Sequence, residues 1–325
     1  MKPLLLAFAA ALALTPACHA AVQKPRLIVA TDIGSEPDDA ESMVRLLFYA
    51  NEIDIEGLIA STSTWQRTEV HPELVTERVD AYGKVVGNLR KHASGYPDAS
   101  ALRSRILSGR AVHGMSGVGK SLDTKASDAI ISAVDRPDAR PVWVAVWGGA
   151  VDLAQALWHV RDTRSPEQLA AFVAKLRVYA ISDQDDAGPW IRREFTPSFL
   201  NLIGNGLSDP EHPEFGGWGG RYAKVTAADG LYTDTADRVA GIDGKVRQTD
   251  QATIWRWRQA YQNDFAARIQ WSLADTFAKA NHAPRPVLDG VAGLSPVKLM
   301  ARESEVVHLS AAGSKDPDGD RLRYK

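Results

Sequence analysis

Three aspartates crowd one short stretch of this chain. In Thr31-Asp32-Ile33-Gly34-Ser35-Glu36-Pro37-Asp38-Asp39, two carboxylates are adjacent and a third lies just upstream. Carboxylates gathered this closely repel one another unless a proton or a cation shares their charge. Hard oxygen ligands of this kind suit calcium or magnesium. A carboxylate in such a cluster is also a natural general base. Helix capping offers a plainer role. Asp38 or Asp39 at a helix start would accept from free backbone N–H groups and favour the positive helix end by about 0.5–1 kcal/mol. A cap needs one carboxylate, and three are present. The residues alone leave both readings open.

The flanking residues say what must position these groups. Leu27-Ile28-Val29-Ala30 is an apolar, β-forming run and reads as a buried strand. After the aspartates, Met43, Leu46 and Leu47 recur at helical spacing, with Val44 and Phe48 widening the stripe. The aspartates therefore occupy a strand-to-helix turn, at the strand's carboxyl end, where α/β sheets bind their ligands. The same alternation continues. Ile55–Ser61 is a second strand, ending in the polar loop Thr62-Ser63-Thr64-Trp65. Residues 70–92 form a long amphipathic helix with Leu74, Val75, Val79, Tyr82, Val86 and Leu89 on one stripe. Ala126–Val134 is a helix, Pro141–Trp147 the clearest buried strand, and a further helix follows Gly148-Gly149. Leu176–Ile181 is another strand. Strands alternating with helices from 27 to 181 predict an α/β fold, a doubly wound, mostly parallel sheet. No internal repeat is present.

Further residue types capable of chemistry fall at the ends of these elements. His113 lies in a glycine-rich loop. Gly148-Gly149 lets backbone approach a ligand closely, or simply makes a tight turn. Asp183, Gln184, Asp185 and Asp186 close the strand at 181 and precede Pro189-Trp190. A second acidic strand end in one sheet would converge with the first; a solvated loop is the alternative. Trp190 is placed either to stack on a sugar ring or to pack. Gly117-Val118-Gly119-Lys120-Ser121 superficially suggests a phosphate loop. It lacks the upstream glycine and follows no strand directly, so it is set aside.

These stretches together resemble a known family. Asp-x-Gly-x-x-x-Asp-Asp after a first strand is similar to the aspartate motif of nucleoside hydrolases, usually Asp-x-Asp-Pro-Gly-x-Asp-Asp. The motif's first aspartate is Ala30 here, and the turn is two residues longer. Those departures resemble a side branch, the nucleoside hydrolase-like domain of secreted proteins described as cellulose-binding. His113-Gly114-Met115-Ser116-Gly117, Trp147-Gly148-Gly149, the 182–190 segment and Gly216–Tyr222 match in order, across residues 25–280. The resemblance implies calcium held by Asp32, Asp38, Asp39 and the carbonyl of Trp147. It implies Asp32 as general base. It implies His113, Asp185, Asp186 and Trp190 on the substrate side. One departure counts against the ion: Phe195, just before Thr196-Pro197-Ser198-Phe199-Leu200, stands where an aspartate ligand is expected.

Composition bounds the rest. The 325 residues exceed one ordinary domain, and 45% are hydrophobic, enough for a large core. A net charge of −2, from 38 basic and 40 acidic residues, argues against a nucleic-acid partner or a polybasic membrane surface. Residues 1–20 read as a secretory signal: Lys2, the apolar run Leu4–Leu14, and a small-residue end before Ala21. Cleavage there removes Cys18, the single cysteine, and leaves a periplasmic or extracellular protein without disulfides; a lipoprotein signal would instead cut before Cys18 and acylate it, though Leu14-Thr15-Pro16-Ala17 matches that poorly. Residues 21–280 are the nucleoside hydrolase-like domain. Asn281–Pro286 reads as a linker, and residues 281–325 as the start of a truncated immunoglobulin-like β-module, with Glu305–Leu309 alternating like a strand. Two functions follow from the resemblance. One is an exported glycosidase that cleaves an N- or O-glycosidic bond with metal-activated water, on a small-molecule or oligosaccharide glycoside. The other is a non-catalytic carbohydrate (cellulose)-binding protein on the same fold. Nine tryptophans, Ala30 and the missing late aspartate favour the second.

Overall fold

The computed structural model describes residues 23–195, 201–204, 222–224, 231–240, 244–249, 251–293, 297 and 299–324. Residues 1–20, read above as a secretory signal, and residues 196–200 and 214–221 lie outside the described residues.

β1 (Arg26–Thr31) starts the chain in the middle of the sheet, and α1 (Pro37–Phe48) follows it. β2 (Asp54–Ala60), α2 (Pro72–His92), α3 (Ala99–Arg103) and β3 (Ile106–Ser108) build outward on one side. The chain then returns through α4 (Lys125–Asp135) to β4 (Val142–Val146), which pairs with β1 on its other edge. α5 (Val151–Thr163), α6 (Pro166–Ala174), β5 (Leu176–Ala180), α7 (Ala187–Phe195) and β6 (Asn201–Gly204) continue that way. β7 (Tyr222–Lys224) and β8 (Leu231–Asp234) complete an eight-stranded sheet of order β3-β2-β1-β4-β5-β6-β8-β7. All pairings are parallel except β7 with β8. Strand order thus reverses between β1 and β4. In open α/β sheets, ligands bind outside the carboxyl ends of the strands at such a reversal.

Alternation along the strands covers both faces. Ile28, Val144 and Val178 pack against α4, α5, α6 and α7, while Val29 and Leu58 pack against α1, α2 and Trp271. At the opposite, amino end, Arg26 is fully buried and pairs with Glu56 at 2.8 Å. Its guanidinium also donates to the Ala133 carbonyl at 2.5 Å. The buried charge is therefore both paired and hydrogen-bonded, as a buried charge must be. α6 is an element the periodicity did not show. Ser165 caps it reciprocally with Gln168, and Pro166 opens it.

β9 (Asp237–Ala240) and β10 (Val246–Thr249) make an antiparallel pair before α8 (Gln251–Leu273), which packs on α1 and α2. Residues 24–285 and 315–325 form one compact unit. Residues 286–314 group separately and carry the antiparallel pair β11 (Val287–Leu288) and β12 (Val291–Ala292), consistent with a small β-module. Glu305–Leu309 is not a strand. Val306, Val307 and Leu309 are solvent-exposed, and alternation without a partner edge makes no ladder. Among the described residues, no helix is long and apolar enough to cross a membrane.

Candidate functional site

The β1–α1 turn separates the three aspartates by depth. Asp32 and Asp39 are 4% and 7% exposed, whereas Asp38 lies in solvent. Neither Asp38 nor Asp39 is the N-cap residue. That position is Glu36, which makes no side-chain cap, and Pro37 opens the helix. Asp38 and Asp39 fall within the first turn, and Asp38 Oδ1 accepts the Asp39 N–H at 3.0 Å. The helical phase that turns Asp39 inward turns its neighbour outward.

Asp39 meets Asp32 in the interior. Burial raises the Asp39 carboxyl to about 7; the Thr31 hydroxyl, which donates to it, works the other way, and the charge of Asp32 adds to the rise. Asp32 Oδ2 accepts from Ser35 Oγ at 2.9 Å. No Lys or Arg pairs with either carboxyl among the described residues, so nothing cationic offsets the burial that raises Asp39.

β4 closes against this turn through its glycines. A Cβ on Gly148 would lie 2.8 Å from Asp32 Cβ, and one on Gly149 2.4 Å from Asp185 Oδ2. No side chain fits at either position. The Gly149 N–H donates to Thr62 O at 2.7 Å, locking the end of β4 to the loop after β2. The Trp147 carbonyl, expected to face a metal, accepts from Gln184 Nε2 at 2.8 Å.

The β5 end supplies two aspartates with different surroundings. Asp185 is buried, and burial raises its carboxyl above the ordinary range. Its two oxygens accept the Ala150 N–H at 2.9 Å and the Ala187 N–H at 3.0 Å. It thereby ties the starts of α5 and α7 together. Asp186 is exposed and accepts the Met115 N–H at 2.8 Å through Oδ1. Half-buried His113 shares a hydrogen bond at 3.1 Å with the Gln184 carbonyl. The 113–117 loop is therefore fastened to the β5 end by side chains from both.

Trp190 is the correction among the expected site residues. It is buried with Phe195, ring centroids 5.5 Å apart at 72°, and the Arg161 guanidinium lies 5.0 Å from its ring centroid. Its faces are covered, so it packs. The hydrophobic Phe195, where an aspartate ligand was sought, closes that same cluster. Sequence reasoning missed Ser35 and Gln66, and named Gln184 without a role. Gln66 reaches the β1–α1 turn, where its Oε1 lies 3.5 Å from where a Cβ on Gly34 would stand. These are polar residues on loops following strands, and only their proximity distinguishes them.

The expected calcium can be tested against this donor set. Calcium takes six to eight oxygens. Here two carboxyls are buried together, Asp38 lies in solvent, and the Trp147 carbonyl is engaged by Gln184. Among the described residues, no group of three or more His, Cys, Asp or Glu is arranged to hold a metal ion. The described residues do not fit a resident calcium.

Comparison with known proteins gives a consistent family. The model described as "Cellulose-binding Sde182, nucleoside hydrolase-like domain" matches residues 26–197 and 196–222. A solved nucleoside hydrolase-related hypothetical protein from Saccharophagus degradans, described as associated with carbohydrate metabolism, is 34% identical with a TM-score of 0.75. The alignment covers 92% of this chain and 84% of that one. No curated protein matches the chain.

Proposed function

Because the chain belongs to the cellulose-binding Sde182, nucleoside hydrolase-like family, we propose that it binds a glycan at the carboxyl ends of β1, β4 and β5. One observation carries this reading: the turns after these three strands meet around Gly148 and Gly149 at the point where strand order reverses. Asp38 and Asp186 offer carboxylate oxygens to solvent there, and His113 adds a ring nitrogen. Such groups accept from and donate to sugar hydroxyls, while the buried Asp32–Asp39 pair and Asp185 hold the turns that carry them. The relative associated with carbohydrate metabolism supports the same ligand class. Export belongs to this reading, since polymeric cellulose is met outside the cell.

Binding is favoured over turnover by burial. Asp32 and Asp39, the carboxyls a hydrolase would need against its substrate, are 4% and 7% exposed, whereas the carboxylates open to solvent are Asp38 and Asp186.

A second reading, hydrolysis of an N- or O-glycosidic bond, is favoured by the Asp39 carboxyl at about 7. A group that titrates near the working pH both gives and takes protons. Asp32 would serve as general base beside it. Calcium is the cofactor this reading implies, but the described donor set stops at two buried carboxyls, and no step is drawn through the ion.

Isothermal titration of the purified chain with cello-oligosaccharides and with nucleosides, followed by chromatography of the mixtures, tests both. Binding of an oligosaccharide without new products is expected. Release of a free base or a shortened glycan moves the conclusion to hydrolysis. Binding of neither ligand overturns both.

A further inference from the structure

We propose that Trp65 is the aromatic platform on which a sugar ring of the ligand stacks, on the β2 side of the strand reversal. This rests on the glycan-binding reading above. Six tryptophans have described side chains. Trp190 and Trp271 are buried, Trp143, Trp147 and Trp158 are half-buried, and Trp65 stands out at 71% exposed. A singly exposed apolar residue is ordinary on a surface. The backbone that presents this one is unusually well tied. Ser63 Oγ accepts the N–H groups of both Trp65 and Gln66 at 3.1 Å, and the Ser63 N–H donates to Gln66 O at 2.9 Å. Arg67 Nε adds a bond to Thr64 O at 3.1 Å. The turn is closed on itself, which lowers the ordering cost of presenting a contact surface.

The next residue points the opposite way and says where the turn sits. Gln66 is 6% exposed, and its carboxamide packs at Gly34, inside the turn that carries Asp32 and Asp38. Its buried Nε2 has no partner among the described residues. Consecutive residues thus anchor the loop to the acidic turn and hold an indole at that turn's edge. Asp38, on the same turn, is exposed, and among the described residues only its Oδ1 is hydrogen-bonded.

An indole face on a loop anchored to the turn that carries an open carboxylate matches the two surfaces of a pyranose. The axial C–H groups of a β-linked glucan make an apolar face, and its hydroxyls lie around the rim. A large flat apolar side chain supplies contact area for the first, and a few placed polar groups supply orientation for the second. A nucleobase would also stack on indole. The equatorial hydroxyls and the family's cellulose-binding description favour the glucan.

The test is calorimetric titration of the full chain with cellohexaose and, separately, with inosine, for wild type, Trp65→Ala and Trp65→Phe. Melting temperatures are recorded alongside. Trp65→Ala is expected to weaken cellohexaose binding by about tenfold or more, a loss of at least one decade in Kd. Trp65→Phe keeps a face to stack on and is expected to stay within about threefold. Both should melt with wild type, because the removed side chain packs on little. Wild-type affinity in Trp65→Ala overturns the platform and leaves the glycan-binding reading standing. A wild type that binds inosine through Trp65 and ignores cellohexaose overturns the assignment to a sugar. A wild type that binds neither overturns both proposals.

Discussion

Asp32 and Asp39 are buried together at the β1–α1 turn, where the charge of Asp32 helps raise the Asp39 carboxyl, with no cationic side chain paired to either among the described residues. One proton between them removes the repulsion. The pair is therefore a stability element whose strength depends on pH.

The sign follows from Asp39. Its folded value, about 7, lies above the ordinary aspartate value of about 3.9. Between the two, the folded state binds more protons than the unfolded one, so stability falls as pH rises. The contribution is complete below about pH 4 and is lost as pH passes through about 7. Its full size is on the order of a few kcal/mol, at about 1.4 kcal/mol per unit. Asp39→Asn, whose carbonyl still accepts from Thr31, should melt higher than wild type above neutrality and close to it in mild acid. Thermal melts of both proteins across this range check the expectation. A variant that parallels wild type at every pH would refute it.

Calcium is the companion measurement. A ligand bound only by the native state stabilises it by about 2.7 kcal/mol at a hundredfold excess over Kd. Two buried carboxyls without a third acidic or imidazole ligand should not reach that, so millimolar calcium is expected to leave the wild-type melting temperature unchanged, as should magnesium. A rise in wild type that disappears in Asp39→Asn would establish the ion and revive metal-assisted hydrolysis.

The two aspartates after β5 should part company on substitution. Both oxygens of Asp185 accept backbone N–H groups, from Ala150 and Ala187. Asp185→Asn turns an NH2 group toward one of those donors, leaving it unsatisfied, at a cost of about 1–3 kcal/mol. Its melting temperature should drop. Asp186 uses one oxygen on Met115 N–H and exposes the rest. Asp186→Ala should weaken oligosaccharide binding with a much smaller change in melting temperature. Equal destabilisation by both would show that Asp186 is also purely structural.

Residues 315–325 belong to the main unit through a clasp. His282 shares a 3.0 Å hydrogen bond with His92 of α2, and its Nδ1 lies 2.9 Å from Asp318 Oδ1. Asp318 also accepts the His282 N–H. Asp318→Ala should free the segment, so trypsin should cut at Lys315 and Arg321 faster than in wild type while residues 24–285 persist. Unchanged cleavage at those sites would show that the Arg285–Lys315 bridge suffices.

Much of the architecture was legible because it is local. β1, the acidic turn and α1 follow from an apolar run, a turn and a helical stripe, each visible within a dozen residues. Periodicity likewise gave β2, α2, β4 and β5, and their alternation gave the parallel sheet. α6 carried a readable signal in its Ser165–Gln168 capping box. α7 was harder, because its apolar residues Trp190, Ile191 and Phe195 follow an acidic loop with no strong start signal. The reverse error, a strand at Glu305–Leu309, came from an alternation that finds no partner edge.

The site divides along the same line. That Asp32, Asp38, Asp39, Asp185 and Asp186 gather at the ends of two strands, and that His113 lies in a glycine-rich loop, was written in the sequence by itself. Which of them face solvent was not, since neighbours such as Asp38 and Asp39, or Asp185 and Asp186, have the same chemistry. Only packing separated them: the phase of α1 on the sheet buried Asp39 against Asp32, and the convergence of α5 and α7 claimed both oxygens of Asp185. Trp190 is buried and Trp65 is exposed for the same reason. A tryptophan's exposure is decided by what the rest of the chain brings to it, here Phe195 and Arg161 over Trp190, and a self-closed turn that leaves Trp65 in solvent.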